Sequence, residues 1–341
     1  MTGTPDTRAL ALDRWLHTVH PDFAPAQPMG NDASFRRYFR SRRGNTSYVI
    51  MDAPPEREDT GPFLRVASLL HRLSLRAPKI LGVDSNQGFL LLEDLGDQTF
   101  TRALASGASE PELYRLATTT LLALQSRWAE LDDPTRMANA LAAYDNELLL
   151  REARLFVDWY WPETHGNPAS AEVREHFEDA WRTVLGNLPV LPTTLVLRDF
   201  HVDNLMLLSN DGDRETDACG LLDFQDAVLG SPAYDVVSLL EDARRDVSPA
   251  VVEETLARIA AESPWPAEEF RHHYRVLGAQ RTVKIIGIFT RLARRDDKPG
   301  YQIHQPRLWR LLSGALEHPE LAHVARWFRR HFDDSGRPCA R

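Results

Sequence analysis

Asp199, Asn204 and Asp223 stand out for their side-chain types and spacing. They lie in Leu197-Arg-Asp-Phe-His-Val-Asp-Asn204 and Gly220-Leu-Leu-Asp-Phe-Gln225. Phosphoryl transfer from ATP needs a carboxylate that orients and deprotonates an attacking hydroxyl. It also needs an amide and a second carboxylate to hold Mg²⁺. D-x-x-x-x-N followed by D-F-x supplies these groups in the right order. Asp199 is therefore the candidate catalytic base. Asn204 and Asp223 are the candidate metal ligands, since both present the hard oxygens that Mg²⁺ prefers. The plainer readings are a helix-capping Asp and a turn Asn. The three residues in one pattern outweigh them.

Neighbouring residues read as support. His201 lies inside the loop, where it either holds the loop's shape or approaches the phosphates; the structural role is favoured. Asp203 is expected to face solvent, and Asp226 to assist the metal through water. Asp235, in Ser231-Pro-Ala-Tyr-Asp235, opens an apolar helical run. It is expected to cap that helix and to pair with Arg198.

The elements that must position these groups follow from periodicity. Leu10, Leu12, Trp15, Leu16 and Val19 predict a helix over about 8–19. Residues 34–40 and 47–51 read as strands with turn chemistry at Arg43-Gly-Asn45. A helix is expected over 62–75, and strands over 79–83 and 88–92. The last is apolar throughout and so central. Beyond Glu93-Asp94-Leu95-Gly96 the pattern changes to long helices. Ser109-Glu-Pro-Glu112 is a capping box. Helices follow over about 145–160 and 171–186, then strand 194–197, a hairpin near Asp211-Gly212, and helices from 232 to about 330. The fold class is α+β and bilobal. A β-rich nucleotide-binding lobe spans 1–96, hinged at 93–96, and a mainly helical lobe spans 97–341.

Bulk properties narrow the class. The chain has 341 residues, 43% of them hydrophobic and 26% charged, as expected for a soluble globular protein. A formal net charge of −9 argues against general nucleic-acid binding. No signal peptide and no apolar run of membrane-spanning length is visible. Cys219 and Cys339 are the only cysteines, which fits a reducing cytoplasm better than a disulfide framework. Oligomeric state is not readable.

These motifs resemble the aminoglycoside phosphotransferase/choline kinase-like superfamily, which has a protein-kinase-like fold. Its members read H-G-D-x-x-x-x-N, I-D-W-E-D-A and G-D-P-x-x-D. Asp199, Asn204, Asp223, Asp226, Ala227 and Asp235 match in order, while Arg198 and Gln225 depart from the common Gly and Glu. Asp32-Ala-Ser-Phe-Arg-Arg-Tyr-Phe-Arg40, Val49-Ile-Met-Asp-Ala-Pro-Pro55 and Leu222-Asp-Phe-Gln-Asp-Ala-Val228 carry a narrower likeness. They are similar to the anomeric sugar kinases of cell-wall recycling, which act on the C1 hydroxyl of N-acetylmuramate and N-acetylglucosamine. The resemblance implies ATP and Mg²⁺ as cofactors and a small amino-sugar substrate. Aminoglycoside, choline or homoserine kinases of the same superfamily, and a non-catalytic pseudokinase, remain as alternatives.

The first lobe departs from the general kinase pattern. Its nucleotide-covering loop should be Gly-rich, yet Asn31-Asp-Ala-Ser34 stands there beside Gly30 alone. Met51 stands where a phosphate-binding Lys is expected, and the next helix has no Glu to partner one. Another cation must then neutralise the triphosphate. Arg36, Arg37 and Arg40 are candidates, with Arg36 and Arg40 on one face of the strand; a solvated basic face is the rival reading. Ser34, Arg36, Arg40, Glu93 and Leu95 are the candidate nucleotide contacts, with the hinge backbone at Glu93–Leu95 reading the adenine edge. In the second lobe Phe156, Trp159, Tyr160 and Trp161 form an aromatic cluster. Core packing is the stronger account of it, and Trp159 and Tyr160 are the candidate acceptor contacts. His272-His273 is assigned no site, since adjacent helical residues diverge by about 100°.

Overall fold

The computed structural model describes residues 6–30, 35–131, 141–209 and 212–339. The chain divides into two compact units. One comprises Met1–Ala108 with Asp203–Asp226, the other Ser109–Val202 with Ala227–Arg341. The boundary near 96 expected from composition therefore moves. The first unit extends to Ala108, and a later segment carrying Asn204 and Asp223 joins it.

In the first unit an antiparallel sheet has the order β1-β2-β3-β5-β4. Its strands are β1 (Gln27–Pro28), β2 (Arg37–Arg43), β3 (Thr46–Asp52), β4 (Ile80–Asp84) and β5 (Phe89–Glu93). β5 lies between β3 and β4 and is buried along Phe89–Leu92, as its uninterrupted apolar pattern requires. Helix Thr7–Val19 starts at Asp6, whose carboxylate accepts from the backbone N–H of Arg8 and Ala9. Leu12, Trp15 and Leu16 of that helix pack on Phe39, Ile50, Phe89 and Leu91 of the sheet. Burying each such side chain is worth about 1.5–3 kcal/mol. Alternation along β2 sends Phe39 into this core and Tyr38 to the other face. Arg37 points with Phe39, and with Arg8 it binds the fully buried Asp52.

Helix Gly61–Arg72 presents Phe63, Val66, Leu69 and Leu70 inward. β7 (Leu205–Leu207) and β8 (Cys219–Leu221) then form an antiparallel pair, with Leu205 opposite Leu221. This register sets Asn204, just before β7, beside Leu222, just after β8; the Leu222 N–H donates to the Asn204 carbonyl at 2.9 Å. The predicted hairpin is therefore real as a ladder, though Asn210 and Asp211 at its turn lie outside the described residues.

In the second unit β6 (Thr194–Val196) pairs antiparallel with β9 (Val228–Gly230). Helix Glu110–Ala129 is capped by Ser109, whose hydroxyl accepts from the Glu112 N–H. The 29-residue helix Ala267–Arg295 is buried along most of Val276–Phe289, as a helix at the centre of a unit must be. The helix expected over 145–160 stops at Leu155; Phe156–Tyr160 forms a π-helical turn, and Trp161–His165 resumes the α-helix. Gly287 explains the close fit there. A Cβ on it would come within 2.4 Å of the Leu155 carbonyl. Among the described residues no helix is long and apolar enough to cross a membrane. Cys219 is buried, Cys339 is exposed, and both are free thiols.

Candidate active site

Asp199 belongs to the second unit. The apolar strand β6 runs into Leu197 and Arg198, and Arg198 takes φ of +71°. A non-glycine residue in this left-handed region costs about 1–3 kcal/mol and persists only where its surroundings hold it. Asp235 does the holding. Its carboxylate accepts from the backbone N–H of Leu197 at 2.7 Å and of Arg198 at 2.9 Å. The expected pairing of Asp235 with the Arg198 side chain is thus corrected, because the acid grips the loop's backbone. Nor does Asp235 cap its own helix, Tyr234–Leu240, whose N-cap position is Ala233 and which has no side-chain cap.

The Arg198 guanidinium instead pairs with Glu152 and lies over the Tyr144 ring at 5.4 Å. Glu152 also takes the Lys284 ammonium at 3.1 Å and the Tyr144 hydroxyl. Arg281 stands one helical turn before Lys284, with its guanidinium 3.8 Å from the Asp199 carboxylate. Burial pushes Asp199 up, but Lys284, Arg281, His201 and Arg198 outweigh it and hold the group below the usual carboxylate range. Asp199 is therefore ionised at neutral pH and able to accept a proton, with its side chain still half exposed. Burial lowers His201, against the nearby Asp242 and Asp199 carboxylates. Its backbone N–H donates to the Asp199 carbonyl at 3.1 Å, consistent with a loop-shaping role. Burial raises Asp235 to about 7 against its two N–H donors.

The first unit holds the other half of the predicted set. A cavity of about 350 Å³ is lined by Met29, Tyr38 and Val49 from one side and by Met206 and Leu222 from another. Glu93, Asp94, Leu95 and Gly96 edge it, and Asn204 and Asp223 also reach it. An apolar slot of this size with a few polar groups suits a small cofactor. Asp223 takes φ of +54°, the second strained non-glycine in the predicted motif. The Gln225 amide bridges Asp223 at 2.9 Å and Asp226 at 3.2 Å, which the common Glu at that position could not do. Phe224 packs on Phe63 with ring centroids 4.9 Å apart, tying the Asp223 turn to helix Gly61–Arg72. The oxygens of Asn204 and Asp223 on one cavity fit Mg²⁺, which binds through one or two protein ligands plus phosphates. Among the described residues no cage of three or more His, Cys, Asp or Glu forms.

The predicted nucleotide cations separate. Arg36 is largely buried and lies 3.6 Å from Asp223. Arg40 is taken up by Asp94 at 2.8 Å and Asp97 at 2.9 Å; those carboxylates, rather than a phosphate, account for its position. Met51 is buried, so no cation occupies the usual Lys position. Glu93 uses its carboxylate on Arg76 at 2.6 Å. Ser34 lies outside the described residues. Asp203, expected to face solvent, accepts from the Thr101 hydroxyl.

The acceptor assignment for Tyr160 does not fit its position. It is buried against Phe156, Trp309 and Phe332, and its hydroxyl donates to the Gly336 carbonyl at 2.9 Å. Packing accounts for it fully. Trp159 is half-buried on the π-helical turn. Glu152, Arg281 and Lys284 were not singled out from sequence. Their signal was present, since Arg281 and Lys284 interrupt an otherwise apolar stretch of helix and so require buried partners.

Residues 25–271 match the model of the phosphotransferase enzyme family. The chain is 36% identical over 338 residues to the N-acetylmuramate/N-acetylglucosamine kinase of Pseudomonas aeruginosa, covering 94% of this chain and 95% of that one. It is 35% identical to the kinase of the same name from Caulobacter vibrioides, covering 89% and 91%. Among solved structures, ADP-bound aminoglycoside phosphotransferase APH(2'')-Ib superposes with a TM-score of 0.59 at 17% identity, covering 91% of this chain and 97% of that one. The GDP complex of wild-type aminoglycoside 2'-phosphotransferase-IIIa superposes with a TM-score of 0.59 at 16% identity, covering 95% and 99%. At such identities these structures speak to the fold, which is protein-kinase-like.

Proposed function

The chain belongs to the phosphotransferase enzyme family, and from that premise we propose that it is an ATP- and Mg²⁺-dependent anomeric sugar kinase. Its acceptor is the C1 hydroxyl of N-acetylmuramate, N-acetylglucosamine or both. Its products are the sugar 1-phosphate and ADP, and the sugar phosphate feeds nucleotide-sugar synthesis in peptidoglycan recycling. One observation carries the substrate: relatives named for both sugars share 35–36% identity over about nine-tenths of this chain.

In this reading Asp199 orients the C1 hydroxyl and accepts its proton as the oxygen attacks the γ-phosphorus in line. Asp235 fixes the Leu197–Arg198 backbone and so aims Asp199. Asn204 and Asp223 hold Mg²⁺, with Gln225 steadying Asp223. The ion supplies charge neutralisation on the phosphates. The adenine sits in the cavity edged by Glu93–Leu95, read by main-chain groups. Arg36 supplies positive charge beside the phosphates, a task the missing Lys leaves open. The absence of that Lys favours a pseudokinase, but the ionised Asp199 argues for catalysis.

The experiment is a substrate panel with ATP and Mg²⁺, following loss of the reducing end and appearance of a sugar 1-phosphate by ³¹P NMR. N-acetylglucosamine and N-acetylmuramate should turn over, and Asp199→Asn should abolish turnover while ATP·Mg²⁺ binding persists. Turnover of an aminoglycoside, choline or homoserine with neither amino sugar would sink the proposal.

A further inference from the structure

Arg281 lies in the middle of helix Ala267–Arg295 and is 5% exposed. Its guanidinium approaches Asp199 at 3.8 Å, beyond hydrogen-bonding distance. No described residue accepts a hydrogen bond from it. Arginine carries five N–H donors, and no Arg281 nitrogen is sealed from solvent without a partner, so those donors stay open to a ligand. The neighbouring cations are differently placed: Arg198 and Lys284 both meet Glu152. Arg281 is thus a buried cation held beside the candidate base and supplied with no protein acceptor.

Resting on the function proposed above, we propose that Arg281 binds the carbonyl oxygen of the sugar's C2 acetamido group and thereby selects N-acetylated sugars. Asp199 must come within about 2.6–3.2 Å of the C1 hydroxyl to take its proton. A donor 3.8 Å from that carboxylate then faces substituents on the adjoining ring carbon. The acetamido group is bonded to that carbon in both N-acetylmuramate and N-acetylglucosamine. The lactyl carboxylate belongs to muramate alone and sits on C3. A neutral carbonyl also adds no second anion beside Asp199, whereas a carboxylate would. A site built to hydrogen-bond one substrate group discriminates strongly against analogues that lack it.

The test compares wild type with Arg281→Ala and Arg281→Gln on N-acetylglucosamine, N-acetylmuramate and glucose, which has a hydroxyl at C2. Arg281→Ala should lower kcat/KM for both N-acetyl sugars between about 10- and 100-fold, the worth of a charge-assisted hydrogen bond. Glucose turnover at high enzyme concentration should also fall, because the cation beside Asp199 serves every acceptor, but by at least about tenfold less than turnover of the N-acetyl sugars, so that the preference for N-acetyl sugars collapses. Arg281→Gln keeps an N–H donor and should fall between the two. Retained glucose turnover also shows that the variants fold. Equal loss on all three sugars would assign Arg281 to the phosphoryl group or to stability and overturn the inference. Unchanged preference would overturn it as well. A wild-type enzyme that phosphorylates no N-acetyl sugar overturns the underlying reading, and this inference with it.

Discussion

Asp235 holds Arg198 by its backbone: the carboxylate takes the Arg198 N–H at 2.9 Å, while the guanidinium of the same residue goes to Glu152. The loop that carries the candidate base Asp199 is thus pinned twice at one strained position. Burial raises Asp235 to about 7 from an ordinary 3.8. The native protein therefore binds a proton between about pH 4 and 7 that the unfolded chain has released. Stability linked to this group is greatest at low pH and falls as pH rises through that window. Asp235→Asn removes the dependence. Urea unfolding at pH 5 and pH 8 should show wild type losing ground to Asp235→Asn by about 2.5 kcal/mol. A constant difference between the two proteins would show that Asp235 is already ionised at pH 5.

Glu152 is the shared anion for Arg198 and Lys284, and all three side chains are largely buried. Removing it leaves two cations without their counter-charge, a change that typically costs about 3–5 kcal/mol. Glu152→Gln should therefore destabilise the second unit by that order and lower kcat, since Arg198 adjoins Asp199. Lys284→Met in the same background relieves one stranded charge. The double variant should be more stable than the sum of the single effects predicts. Strict additivity in a thermal-unfolding cycle would show that the two residues are not coupled.

The legible parts of this molecule were those with local signals. Strand β2 followed from alternation and strands β3 and β5 from apolar runs bounded by turn residues, and helix Ala171–Gly186 ran over the residues expected for it. Asp235 and its target Arg198 were both singled out, but the contact runs to the backbone and not to the guanidinium, because a backbone N–H has no sequence identity. Arg40 looked like a phosphate ligand until its partners Asp94 and Asp97 were seen across the sheet. Arg281 and Lys284 lie far from Asp199 in the chain, and only the helix crossing brings them to it. For Tyr160 core packing was the stronger reading and the buried position agrees with it, but an aromatic run on a helix has the same composition in a core as in a sugar site, so the acceptor role stayed open.

Arg40 lies on β2 and Arg36 just before it, and they have different surroundings, so their variants should separate. Arg36 lies beside Asp223, and Arg36→Ala should raise the KM for ATP or lower kcat by at least about tenfold, as loss of a charge-assisted contact to phosphate would. Arg40 links β2 to Asp94 and Asp97 while partly exposed. Arg40→Ala should cost about 1 kcal/mol of stability and leave the KM for ATP within about threefold. Steady-state kinetics with ATP varied, beside thermal melts, distinguishes them. A larger KM effect from Arg40→Ala than from Arg36→Ala would reverse the assignment.

Gly287 lies where helix Ala267–Arg295 crosses the junction between Leu155 and the π-helical turn. An added Cβ would stand 2.4 Å from the Leu155 carbonyl and 2.7 Å from the Phe156 nitrogen. Both are backbone atoms, so no flexible side chain can yield, and the helices must separate. Overpacking of this kind costs about 1–3 kcal/mol or more. The same helix carries Arg281 and Lys284, so its displacement would move the cations that keep Asp199 ionised. Gly287→Ala should therefore lower the melting temperature and reduce kcat more than it raises the KM for ATP, whose cavity is lined by the other unit. Lost stability with unaltered kcat would show that the helix shifts without disturbing Asp199.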